Sequence, residues 1–146
     1  MVNKLEICIE IQRPVEEVFA FASNVANLPL YDKGIRDVKK ITEGPIDAGT
    51  TFHLIASQFG IRMIVVLVFT AYEPSHHFVF RVNSGPFPVE THYSLVSHGS
   101  GTQMRCEREL QPSGIWRWLI PLMSIPAGKK FERELNSLKK YVEQDS

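Results

Sequence analysis

The sequence predicts an α+β domain, a curved antiparallel sheet closed around a C-terminal helix, and three observations predict it. From residue 35 to residue 111 apolar residues recur mostly at strand period, in runs separated by short turns. Strands joined by short turns run antiparallel. From Ile115 the period becomes helical, and one apolar stripe runs through Trp116, Ile120, Met123, Ala127, Phe131, Leu135, Leu138 and Val142. A sheet with one apolar face and a helix with one apolar stripe each need a surface to bury against, and each supplies the other.

The elements follow in order. "KLEICIEIQ" sets Leu5, Ile7, Ile9 and Ile11 against Glu6, Cys8, Glu10 and Gln12, a half-buried strand. In "RPVEEVFAFASN", Pro14 suits a first helical position, where its missing N–H has no helical partner. Glu16 and Glu17 favour the positive end of the helix dipole, and Val15, Val18, Phe19 and Ala22 share the face that docks on the core. Ser23 and Asn24 can end this helix and cap a second, "VANLPLY", which Pro29 keeps short or irregular. "IRDVKKIT" and "TTFHLIAS" are strands on either side of the turn "EGPIDAG". "IRMIVVLVFTAY" is apolar on both parities, which suits either a central strand covered on both sides or a face that meets a second copy in a homodimer. "HFVFRVN", "PVETHYSLV" and "TQMRCERELQ" complete seven strands, the last two joined by the hairpin turn "SHGSG". Pro121 and Pro126 should kink or break the first half of the C-terminal helix.

Composition narrows the function classes. The 146 residues suit a single domain over 1–146, large enough to bury a core without metal or disulfide staples. Lys plus Arg equals Asp plus Glu at 16 each, so no net charge draws the chain to nucleic acid or an acidic membrane. The longest apolar stretches, Met63 to Tyr72 and Trp118 to Gly128, are too short for a membrane span. The N-terminus lacks a secretory apolar run, so the expectation is a cytoplasmic protein. Cys8 and Cys106 fall on opposite parities of their strands, which predicts two free thiols. No His-x-x-x-His, Cys-x-x-Cys or Gly-x-Ser-x-Gly spacing is present, and "GSGTQM" is a turn with no helix after it. No metal and no cofactor are expected.

The whole chain resembles a known superfamily. The segments that carry the likeness are "IEIQRPVEEVFAFASNVANLPLYDKGIRDVKKI", "FTAYEPSHHFVFRVNSGPF", "GTQMRCERELQPSG" and "ERELNSLKKYVE". They resemble the SRPBCC, or START–Bet v1-like, helix-grip superfamily in its polyketide cyclase/dehydrase-like branch. The first segment is the most specific, and Tyr31 stands where relatives often carry an aromatic. The resemblance implies a seven-stranded sheet around the last helix, with a cavity between them. It implies a hydrophobic small-molecule partner: a lipid, an isoprenoid or an aromatic polyketide-like compound. The alternative is a polyketide cyclase/dehydratase-type enzyme using the same cavity, and a third class is an interaction module with a filled interior. The family motif transfers no catalytic set to these positions.

Parity then supplies the expected cavity wall. Phe52, Leu54, Met63, Val65, Leu67 and Phe69 point inward from the first half of the sheet. Phe78, Phe80, Val89, Thr91, Tyr93, Met104, Cys106 and Arg108 do so from the second half, and the helix adds Trp116, Ile120 and Met123. With Tyr31 this wall is largely apolar with few polar groups, the usual composition of a ligand pocket, and a bulge would flip any strand beyond it. Arg108 is the anomaly, a guanidinium on the dry parity of "TQMRCERELQ". It can snorkel out at the strand end, pair with a buried carboxylate, or hold the carboxylate, carbonyl or phenolate of a ligand beside Tyr93 and Thr91. An enzyme would draw on Tyr93, Arg108, His53 and Glu90, although His53 also reads as a surface histidine.

Overall fold

The computed structural model describes residues 4–32, 34–58, 61–83, 88–110 and 120–144. The elements are β1 (Lys4–Ile11), α1 (Val15–Ala22), a 3₁₀ turn (Val25–Asn27), α2 (Leu28–Tyr31), β2 (Ile35–Lys40), β3 (Thr51–Gln58), β4 (Ile61–Glu73), β5 (His77–Asn83), β6 (Val89–His98), β7 (Gly101–Leu110) and α3 (Ile120–Gln144). All strand pairs are antiparallel, in the order β1-β7-β6-β5-β4-β3-β2. This is the helix-grip fold that the sequence pattern predicts.

Local chemistry explains the entry to the sheet. Pro14 stands just before α1, one residue earlier than expected, and its carbonyl accepts the N–H groups of Glu17 and Val18. Asn24 Oδ1 accepts the Ala26 N–H at 3.1 Å and so opens the second helical stretch. That stretch is a 3₁₀ turn running into a single α-turn, the short irregular form that Pro29 imposes. In β2 the register slips between Arg36 and Lys39, and Asp37 takes a left-handed φ of 54° there.

α3 departs from one expectation. It runs through both Pro121 and Pro126 as one helix of 25 residues. Pro121 lies in the first turn, where no intrahelical N–H is required, and Pro126 removes one bond without ending the helix. The far end of α3 is pinned where β1 meets α1. Gln12 N–H donates to Glu143 Oε2 at 2.8 Å and Arg13 Nη2 donates to the Glu143 carbonyl at 2.6 Å. Thr102 Oγ1 closes the joint on the Arg13 carbonyl at 2.8 Å. Gly101 has to be glycine here, because a Cβ would stand 2.7 Å from the Ile11 carbonyl oxygen.

Phe131, Leu135, Leu138 and Val142 of α3 are buried against the concave face of the sheet. Trp116 lies outside the described residues, and so do the side chains of Ile120 and Met123. On the convex face β4 is not covered throughout, since Ile64 is 74% exposed; the reading of this strand as buried on both sides fails there. Cys8 is exposed and Cys106 buried, both as free thiols. Among the described residues no helix is long and apolar enough to cross a membrane.

Candidate functional site

The interior enclosed by the sheet and α3 has two unlike ends. At one end aromatic rings fill it. Phe78 stacks on Tyr93 with centroids 4.7 Å apart and meets Phe19 of α1 edge-on at 5.4 Å. Phe69 contacts Phe80 at 5.9 Å and Phe52 at 6.2 Å. The register of β4 against β5 shifts between Phe69 and Ala71. That shift turns Tyr72 inward, against Phe19 at 5.3 Å and Phe69 at 5.8 Å. Strict alternation assigns Tyr72 to the opposite face from Phe69, so the bulge hid this ring from the sequence pattern.

At the other end the inward residues shrink. Ala56, Val65, Val82 and Val89 replace rings with one or three heavy atoms beyond Cα, and a cavity of about 170 Å³ remains, bordered also by Ser57 of the outward parity. Met63, Leu67, Phe80, Thr91, Arg108 and Glu134 share its wall with Leu5, Leu28, Asp32, Gly34 and Ile35. Asp32 is held at the wall by accepting the Gly34 N–H on Oδ1 at 3.0 Å.

Arg108 stands at the polar side of this cavity. It neither snorkels into solvent nor stays unpaired. Its Nη2 donates to Glu134 Oε2 at 3.1 Å, and its guanidinium carbon lies 4.1 Å from the centroid of the Phe131 ring. The Arg108 side chain is 21% exposed and that of Glu134 only 7%. Burial works against the guanidinium charge, but Glu134 leads the influences that outweigh it and hold its pKa above the ordinary value. Burial pushes the phenols of Tyr31 and Tyr93 upward, and the nearby Glu134 carboxylate adds to it, so both stay protonated donors. Burial also raises the Cys106 thiol.

Of the residues singled out from sequence, Met63, Val65, Leu67, Phe80, Val89, Thr91 and Arg108 line the cavity. Tyr31, Phe52, Leu54, Phe69, Tyr93, Met104 and Cys106 are buried in the surrounding core instead. His53 is exposed on the convex face. Glu90 also faces outward, bonded to His92 Nε2 at 2.7 Å and 3.9 Å from Arg81. Neither belongs to the cavity, because both occupy the strand parity opposite the inward residues.

Two carboxylates at the cavity, Asp32 and Glu134, escaped the sequence reading. Glu134 had a signal. It follows Phe131 by three residues and precedes Leu138 by four, so it sits on the apolar stripe of α3. An acid on a dry helix face and an arginine on a dry strand face are each other's natural partner. Asp32 carries no such mark. Among the described residues no group of His, Cys, Asp and Glu is arranged to hold a metal ion.

Solved structures with this fold are numerous. A protein from Thermus thermophilus superposes with a TM-score of 0.79 at 18% identity, covering 98% of this chain and 99% of that one. A START superfamily protein from Mycobacterium smegmatis gives 0.78 at 16% identity over 99% and 100%. The Zhui aromatase/cyclase from Streptomyces sp. R1128 gives 0.78 at 11% identity over 97% and 93%. At these identities the likeness is one of fold. No curated protein matches the sequence significantly. The family model described as polyketide cyclase / dehydrase and lipid transport matches residues 3–143, and the chain belongs to that family.

Proposed function

We propose that this chain binds an apolar small molecule in the cavity between the sheet and α3, with Arg108 and Thr91 orienting its polar end. The observation that carries the reading is a cavity of about 170 Å³ whose wall is mostly aliphatic and carries an ion pair on one side. An apolar cavity of roughly 150 Å³ is enough to take benzene. The space therefore accommodates one ring or a short branched chain. A larger lipid, isoprenoid or polyketide-like guest requires the wall to give way, and the unbranched thioether of Met63 is the side chain there best able to do so. The cavity speaks against an interaction module with a filled interior.

Mass spectrometry of the freshly purified chain under native conditions, followed by organic extraction, tests the reading. A bound apolar compound is expected, together with a melting temperature that rises with the concentration of added single-ring hydrophobes. Val82→Phe, which fills the space, should abolish that rise while the protein remains folded. A wild-type protein with no extractable guest and no response to any hydrophobe overturns the proposal.

A cyclase-type enzyme is the second reading. It is favoured by the two carboxylates that reach the cavity, since a proton-moving group is what such a reaction asks of the protein. Loss of turnover in Asp32→Asn or Glu134→Gln with retained binding would distinguish it from simple carriage.

A further inference from the structure

The charges around the cavity bear on which guest it takes, a question that rests on the binding reading above. We propose that the guest carries an uncharged head group with a hydrogen-bond acceptor, such as an amide, a ketone or a phenol, and that Glu134 turns carboxylate anions away.

The argument begins with what Arg108 already has. Among the described residues the charged side chains lining the cavity are Arg108, Asp32 and Glu134, two carboxylates to one guanidinium. Glu134 lies 3.1 Å from Arg108 and is carried by α3, so it remains beside the guanidinium at a high effective concentration. An anionic guest must displace this resident carboxylate or share the guanidinium with it. Sharing sets like charges together in a site poorly screened by solvent and salt. Displacement breaks the ion pair that Glu134, only 7% exposed, makes with Arg108.

A neutral acceptor meets neither obstacle. A guanidinium has five N–H donors, and the ion pair is made through Nη2. Arg108 Nε is enclosed and makes no hydrogen bond among the described residues, so a guest meets the guanidinium through its terminal nitrogens. The Phe131 ring under the guanidinium restrains its plane, so a carbonyl oxygen can approach its edge while Glu134 stays in place. Thr91 stands directly across from Arg108 in the β6–β7 register and lines the same wall. Its hydroxyl can donate or accept, which suits an amide or a phenol.

The test uses the full chain and four single-ring probes of closely similar size: toluene, benzamide, benzoate and benzylamine. Their affinities are measured by titration calorimetry at neutral pH. In the wild type, benzamide should bind tightest, toluene measurably, and benzoate about tenfold or more weaker than benzamide. Glu134→Gln keeps the shape and removes the charge, and it should raise benzoate affinity about tenfold with toluene unchanged. Benzoate matching benzamide in the wild type, or benzylamine exceeding it, overturns the proposal. So does a folded Glu134→Gln protein that binds toluene but treats benzoate as before. If the variant does not fold, the wild-type ratio of benzamide to benzoate decides alone. If toluene and every other probe fail to bind the wild type, the binding reading itself falls; if all bind equally, only the head-group proposal falls.

Discussion

The same strands build both ends of the interior, yet one end is solid and the other hollow. In β5, Phe78 lies in the aromatic cluster and Val82, four residues on, lines the cavity. In β6 the corresponding pair is Tyr93 and Val89. Pleat and register are alike at the two positions, so burial pattern does not distinguish them. Side-chain volume does, together with what covers the sheet: α1 delivers Phe19 onto Phe78 and Tyr72, whereas the hollow end is bounded by Leu28, Asp32 and Gly34 around α2. The cavity in this molecule is thus a place where packing stops, marked by small inward residues and a buried ion pair at its edge.

Removing side chains from each end puts this contrast under the greatest stress. Phe78→Ala deletes a fully buried ring in contact with four others, and a loss of about 3–5 kcal/mol of stability is expected. Val82→Ala enlarges a space that is already there and should cost roughly 1 kcal/mol or less. Urea unfolding of both variants, read by circular dichroism, measures the difference. Equal losses would mean that the two ends are packed alike.

The fold was legible because its signals are periodic and redundant. Alternation fixed the inward faces of Phe52, Leu54, Val65, Leu67, Phe69, Phe78, Phe80, Tyr93, Met104 and Cys106, all of which are buried. The site was legible only in part. Parity tells which way a side chain points but not whether its neighbours leave room, so Tyr93 and Thr91 read alike while only Thr91 meets the cavity. Tyr72 was hidden by a bulge, which leaves no mark in residue type. Arg108 stood out as a charge on a dry face, while Glu134, which shares the apolar stripe of α3, was passed over among the charges of that helix; pairing the two needs the distance between β7 and α3, which sequence spacing does not supply. Asp32 reaches the wall from the bend after α2, where no period applies.

Adding volume probes the contrast from the opposite direction. Cys106 is fully buried beneath the aromatic cluster, and Cys106→Leu forces atoms into occupied space at a cost of about 1–3 kcal/mol. Ala56→Leu adds a branched chain at the cavity wall, where space exists, and should change stability by less than about 1 kcal/mol. The second variant should also lose the thermal shift produced by toluene, while a folded Cys106→Leu protein keeps it. Loss of the shift in both would make the cavity a property of the whole core and not of one end.

The smallest expected effect is a pH dependence that belongs mainly to the dry end. Burial raises the pKa of Tyr93 and of Cys106 in the folded chain. In the unfolded chain such a thiol ionises near pH 8.5 and such a phenol near pH 10. Above those values the unfolded state binds fewer protons than the folded state, so stability falls as pH rises, and below them these groups contribute no slope. At pH 10 a phenol that is half ionised only when unfolded accounts for about 0.4 kcal/mol, and a thiol that ionises earlier for more. Tyr31, buried as well, adds a similar amount. Arg108 at the hollow end adds no slope in this range, because a guanidinium is charged when unfolded and its pKa is raised further when folded. Urea midpoints should therefore be flat from pH 7 to 8 and decline beyond, and Tyr93→Phe should shallow the decline. A decline of unchanged steepness in Tyr93→Phe would mean that water reaches the phenol, and the solid end would then be less dry than its ring contacts imply.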